Sequence, residues 1–218
     1  MMHILLRVAV IAVALVIWFW TQKLIANNGA GMTGSGDGIG DAIHRLTARW
    51  HRYFATHDQA ANRALRLSSL CIDVLGLTLI AAAVFGPSFA PFLGILIVFS
   101  LRQICQLCCT LPPPPGIIWR DPGFPTLLVT YDVSNDFFFS GHTALAVLGA
   151  IGICHLAPWW LGAAAVLVAL GEVVIVLVLR AHYTMDVITG AFAAWLASDL
   201  ALRLAPSVDG WLACSGGL

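Results

Sequence analysis

Apolar residues gather into six stretches, at about 1–20, 67–85, 91–111, 142–157, 160–180 and 183–204. Each lies near the roughly 17–25 residues that a helix needs to cross the hydrocarbon of a bilayer. The fourth is short, and Ser140 just ahead of it reads as a helix N-cap rising from a loop. The first carries a lone Arg7 and could pass for a signal peptide. Trp18 and Trp20 close it as interfacial anchors do, and no small-residue cleavage site follows, so it reads as a retained span. The pattern predicts an all-α polytopic bundle of six transmembrane helices.

Two intervals break the pattern. After the first span comes a Gly-rich turn, "GAGMTGSGDGIG", and then "DAIHRLTARWHRYF", where Ile43, Leu46, Trp50 and Phe54 recur at helical spacing. This predicts an amphipathic helix lying on the membrane surface. His44 and His51 stand seven residues apart with no acid at a fixed offset, so they and His57 read as histidines of a solvated face. The other interval, 112–139, opens with "PPPPG" and passes through "WRDPGFP", which must be extended or turning. No internal repeat or linker appears, and residues 1–218 read as a single membrane domain.

Composition agrees with this picture. Hydrophobic residues make up 60% and charged residues 10% of the 218, with mean hydropathy +0.89, against about 45–50% and about 25% in soluble domains. The formal net charge is zero, so no nucleic-acid partner is expected. Six cysteines lie mostly in apolar runs. Cys105 and Cys108 form a CxxC with no second pair or nearby histidine to complete a zinc site, and no metal is expected.

With six spans, parity places the end of the third, the start of the fourth, the end of the fifth and the start of the sixth on one membrane face. Arg102, His142, Arg180 and the "HYTMD" beginning at His182 occupy those four positions. Unrelated polar insertions would scatter over both faces, so their convergence points to one site. His182 and Asp186 are i, i+4, which lets the carboxylate fix one imidazole nitrogen and present the other as a general base or a nucleophile. His142, at a helix N-terminus, sits beside backbone N–H groups that favour an anion such as phosphate, and when protonated could supply a departing oxygen with its proton. Arg102 and Arg180 suit the non-bridging oxygens of a phosphoryl group. No Walker-type loop or acidic cluster accompanies them, so neither a nucleotide nor a metal or other cofactor is expected.

"SGHT" at 140–143 followed by "HYTMDV" at 182–187 resembles the lipid phosphatase and phosphotransferase superfamily that includes the type 2 phosphatidic acid phosphatases. Within it, the chain most resembles sphingomyelin synthases and the plant phosphatidylcholine:diacylglycerol cholinephosphotransferases. Their acidic residue four before the serine matches Asp136, and their "HYT-x-D" matches His182, Tyr183, Thr184 and Asp186. Their arginine ahead of a "T-L-P-x-P-G" element resembles Arg102 followed by Thr110, Leu111, Pro112 and the run ending at Gly116. The resemblance implies a bundle of that superfamily's type. It also implies that His182 attacks phosphorus to give a phosphohistidine, with Asp186 in support, and that His142 protonates the leaving diacylglycerol. Asp136, Ser140, Gly141, Thr143 and Tyr183 come with the motifs as substrate-binding positions. The implied donor is a phospholipid carrying phosphocholine or phosphoethanolamine, and the implied acceptor is diacylglycerol or ceramide. The alternative is a lipid phosphate phosphatase, but that branch places Ser-Arg where this chain has Ile175 and Val176, and its Lys-x6-Arg-Pro motif is absent around Arg102.

A choline head calls for aromatic or acidic surroundings, and Trp119, Tyr131, Phe137, Phe138, Phe139 and Tyr183 fall on the catalytic side, where an interfacial belt is the other reading. Glu172, the chain's single glutamate, lies deep in the fifth span. It is expected to pair with a site cation or to contact the head group or acceptor hydroxyl; the alternative is a structural pair with a polar group of the bundle such as Asp73. Nine of eleven Lys and Arg fall on the catalytic side. That count leans towards a cytoplasmic site, whereas the resemblance implies the opposite face. The oligomeric state is not legible in the sequence.

Overall fold

The computed structural model describes residues 2–29, 40–109, 111–123, 125–129, 131 and 138–215. These form eight helices and no strand: α1 (Met2–Gly29), α2 (Ala42–Leu46), α3 (Ala48–Thr56), α4 (Asp58–Phe85), α5 (Ala90–Cys108), α6 (Gly141–Leu156), α7 (Trp159–Val178) and α8 (Thr184–Ser215). Five of the described helices, α1, α4, α5, α7 and α8, are long and apolar enough to cross a membrane. Helix α6 has only 16 residues, about 24 Å of rise, against a hydrocarbon core of about 30 Å. It sits innermost, packed against α4, α5, α7 and α8.

Several helices outrun their apolar stretches. Helix α1 continues to Gly29, beyond Trp20. Helix α4 begins at Asp58, nine residues before its apolar run, with the carboxylate of Asp58 in the first turn, where it complements the helix dipole. Helix α8 continues past 204 through the exposed Pro206 and ends at Ser215. The surface element is two short helices, α2 and α3, broken at Thr47.

The core follows from spacing. Along α4, Ala61, Leu65, Ser68, Ile72, Leu75, Leu79 and Ala83 recur every three or four residues and are buried. On α8, Ala194, Ala197, Ala201 and Ala205 form a buried stripe of small side chains that lets neighbouring backbones approach closely. Away from the polar motifs, Arg7 ties the start of α1 to the α4–α5 turn and the end of α8. Its guanidinium donates to Gly86 O at 2.7 Å and Ala83 O at 3.2 Å, and lies 3.4 Å from Asp209 Oδ1. Asp209 Oδ1 also accepts from Phe89 N at 2.9 Å.

Candidate active site at the α6–α8 junction

The site begins with two helix N-termini. Ser140 caps α6, its hydroxyl accepting from Thr143 N. Its own backbone N–H donates to Asp186 O at 3.1 Å, which joins the start of α6 to the first turn of α8. Gly190, one turn further along α8, makes the approach possible: a Cβ there would stand 2.6 Å from Ser140 O. His142 is thereby held beside the turn that carries His182. His182 and Arg102 are its titratable and cationic neighbours.

His182 precedes α8 rather than lying within it. The carboxylate of Asp186, third residue of α8, reaches back to accept from Tyr183 N at 2.9 Å, the reciprocal half of a capping box. The same oxygen, Oδ2, lies 3.8 Å from His182 Nδ1. The expected acid–imidazole pair therefore exists, but as an ion-pair distance longer than a hydrogen bond, with the carboxylate shared between ring and backbone. Asp186 is 1% exposed and His182 8%, so both act in a largely water-free setting.

Arg102 comes from the last turns of α5. Its Nε donates to Phe139 O at 3.0 Å and would lie 3.1 Å from a Cβ at Gly141, so the guanidinium covers the first residue of α6 and only glycine leaves it room. The ring of His142 meets the indole of Trp119 edge-on, with centroids 4.8 Å apart. His142 Nε2 and Thr143 Oγ1 are buried with no hydrogen-bond partner among the described residues.

The other expected residues have the following partners. Arg180 follows α7, just past its C-cap Leu179, in the left-handed region, φ 54°. It donates to Pro115 O at 2.8 Å and lies against Gly116, which ties it to the Pro-rich segment. Tyr183 is buried, its ring stacked on His44 and its hydroxyl 3.5 Å from Pro113 O. Glu172 is 2% exposed and accepts from Ser68 Oγ at 2.5 Å. It is paired with neither an arginine nor Asp73, whose two oxygens accept from Leu127 N and Leu128 N. Asp136, Thr110 and Phe137 lie outside the described residues.

His44 and His51 are not solvated, contrary to the reading of the surface helix. Both are buried, and each ring serves a backbone carbonyl at the α7–α8 corner: His44 Nε2–H donates to His182 O and His51 Nδ1–H to Val178 O, both at 2.9 Å. Burial, together with the nearby Arg180 and His44, holds His51 below the usual histidine range against the pull of its Val178 hydrogen bond. Asp41 completes the joint. It caps α2 through Ile43 N and His44 N and accepts from Thr184 N at 2.6 Å and Thr184 Oγ1 at 2.8 Å. Burial opposes its charge, yet the donors of Thr184 and His44 outweigh it and keep the carboxyl below the usual range. The surface helices are thus a buttress under the turn that presents His182.

No curated protein and no solved structure matches the chain. A family model does match, that of AtPDCT1/2, the phosphatidylcholine:diacylglycerol cholinephosphotransferases, over residues 41–203, from the buttress carboxylate through most of α8. With its polar junction among membrane-spanning helices, the chain belongs to the AtPDCT1/2 family of membrane lipid-modifying enzymes.

Proposed function

We propose that the protein transfers phosphocholine from phosphatidylcholine to diacylglycerol through a phosphohistidine. The observation that supports this most directly is the α6–α8 junction, where the Ser140–Asp186 backbone bond brings the chain near His142 against the turn bearing His182, with Arg102 covering Gly141. Asp186 faces Nδ1 of His182, so Nε2 is the attacking nitrogen. As the N–P bond forms, the bond from phosphorus to the diacylglycerol oxygen breaks, and His142 gives that oxygen its proton. In the second half His142 takes the proton of the acceptor hydroxyl, the new O–P bond forms and the N–P bond breaks. Arg102, the backbone N–H groups of Gly141 and His142, and Thr143 Oγ1 face the developing charge. Asp136 supplements the donor site, and Arg180 acts by holding the Pro-rich segment. No step requires a metal ion. Helix α6 serves as a sixth, short span whose ends need not reach lipid because other helices surround it, and the chain acts as one domain.

The test is to incubate purified protein in lipid nanodiscs with head-group-labelled phosphatidylcholine and a diacylglycerol of different acyl composition. Labelled phosphatidylcholine carrying the acceptor's acyl chains is the expected product. Release of phosphocholine to water at the same rate with and without acceptor overturns the reading in favour of hydrolysis. A parallel arm with ceramide or a phosphatidylethanolamine donor sets the breadth of substrates.

A further inference from the structure

Beside the catalytic junction lies a group of side chains that the transfer chemistry leaves unused. The indole of Trp119, edge-on to His142, lies 4.9 Å from the ring of Tyr131. The hydroxyl of Tyr131 shares a 2.5 Å hydrogen bond with Ser69 Oγ. The next residue along α4, Ser68, donates to Glu172, so consecutive, fully buried serines of one helix hold the phenol and the carboxylate. Glu172 in turn acts electrostatically on Tyr131. The contacts run from His142 through two aromatic rings to Ser69, whose neighbour Ser68 holds the acid.

Among the described residues the acid has no protein counter-ion. Its polar partner is Ser68, and among the described residues no lysine, arginine or histidine pairs with it. It lies six residues before the end of α7 at Val178, about 9 Å inside the helix terminus. An ionised carboxylate at that depth costs several kcal/mol unless a cation joins it. Such a group, linked through the adjacent Ser68 and Ser69 to Tyr131 and by way of Trp119 to His142, suits a zwitterionic head group whose cation is tethered two carbons from its phosphate.

We propose that Trp119, Tyr131 and Glu172 form the site for the quaternary ammonium of the lipid head group, with Glu172 as its counter-ion and the two rings as its cation–π walls. The proposal rests on the phosphocholine-transfer reading and assigns its head-group selectivity. A quaternary ammonium has no N–H donors and is satisfied by ring faces and one carboxylate. A primary ammonium brings three N–H donors, which Glu172 can satisfy only in part, since the neighbouring hydroxyls of Ser68 and Ser69 are already engaged and the remaining walls are rings. Choline is therefore favoured over ethanolamine.

Two experiments test this. First, kcat/KM is measured for phosphatidylcholine and phosphatidylethanolamine donors in wild type, Trp119→Leu and Glu172→Gln. The expected result is a fall of at least tenfold in the choline-to-ethanolamine ratio for Trp119→Leu, which removes a ring face that suits the quaternary ammonium, and a fall for both donors in Glu172→Gln, which removes the counter-ion they share. An unchanged ratio in Trp119→Leu, or wild-type kcat/KM for phosphatidylcholine in Glu172→Gln, overturns the assignment. Second, wild-type protein is labelled with a hydrophobic carbodiimide and Glu172, the chain's one glutamate, is followed by mass spectrometry. Phosphatidylcholine should protect it, and phosphatidylglycerol at the same concentration should not. Equal protection by both lipids, or by neither, overturns the proposal even if a variant fails to fold. Protection specific to the choline lipid in a protein that transfers no head group would instead sink the transferase reading and leave this site standing.

Discussion

Asp41 offers the most demanding test of the idea that the surface helices position the catalytic turn. Its two carboxylate oxygens accept four hydrogen bonds, two capping α2 and two from Thr184 at the start of α8. Replacing it with alanine removes the α2 cap, worth about 1 kcal/mol. It also removes a charge-assisted link to Thr184 worth about 1.5–3 kcal/mol. The local loss is therefore about 3 kcal/mol, discounted somewhat because Asp41 is only half-buried. His182 lies two residues before Thr184 and its carbonyl is held by His44, whose own N–H is one of the lost donors. Loosening of about 1 Å in such a turn lowers the rate by about 100-fold. Asp41→Ala should accordingly lower kcat for phosphocholine transfer by roughly two orders of magnitude and lower the unfolding temperature. Asp41→Ser separates the two roles, since serine still caps α2 but is too short to reach Thr184. It should recover part of the thermal stability and little of kcat. Wild-type kcat in Asp41→Ala, or full recovery of kcat in Asp41→Ser, would refute the link from Asp41 through Thr184 to the catalytic turn.

Gly190→Ala places a methyl 2.6 Å from the backbone oxygen of Ser140, which cannot rotate away. The expected cost is about 1–3 kcal/mol in stability, with transfer activity lost disproportionately, as thermal unfolding and initial rates measured together will show. His51 has its folded pKa depressed below 6.5 by burial, so the stability it contributes is fully present above pH 6.5 and is lost as pH falls through the folded value. Wild type should therefore lose more unfolding temperature than His51→Asn between pH 7.5 and about 5, and parallel curves would remove His51 from the joint. His182→Asn should abolish both transfer and the acid-labile phosphoenzyme trapped from labelled donor, whereas His142→Asn should slow turnover by about 100-fold or more while leaving some phosphoenzyme to accumulate. Arg7→Ala breaks the clasp to Gly86 O and Asp209, for a loss of about 1–3 kcal/mol with KM unchanged, a split that marks a structural role.

Much of this molecule was legible from local rules. Apolar run length fixes helices, because a backbone in hydrocarbon must satisfy its own hydrogen bonds. Parity along those runs was enough to bring Arg102, His142 and His182 to one end of the bundle, and the Ser140 cap was readable from residue type alone. The sequence showed α6 to be short but not that it is central, since its packing against four other helices leaves no mark in run length. Nor could it assign His44 and His51. Their partners are backbone carbonyls more than a hundred residues away, and a carbonyl leaves no mark in residue identity. The same holds for Arg180, whose side chain was directed to the Pro-rich segment by a left-handed backbone turn, and for Glu172, whose serine partner on α4 is one of many equivalent hydroxyls until the helices pack. Periodicity and spacing thus determined which elements exist and which ends meet, both consequences of chain-local chemistry and bilayer thickness. Only packing in three dimensions decided which polar groups face each other, because hydrogen bonds are settled by distances of a few tenths of an ångström that no one-dimensional pattern encodes.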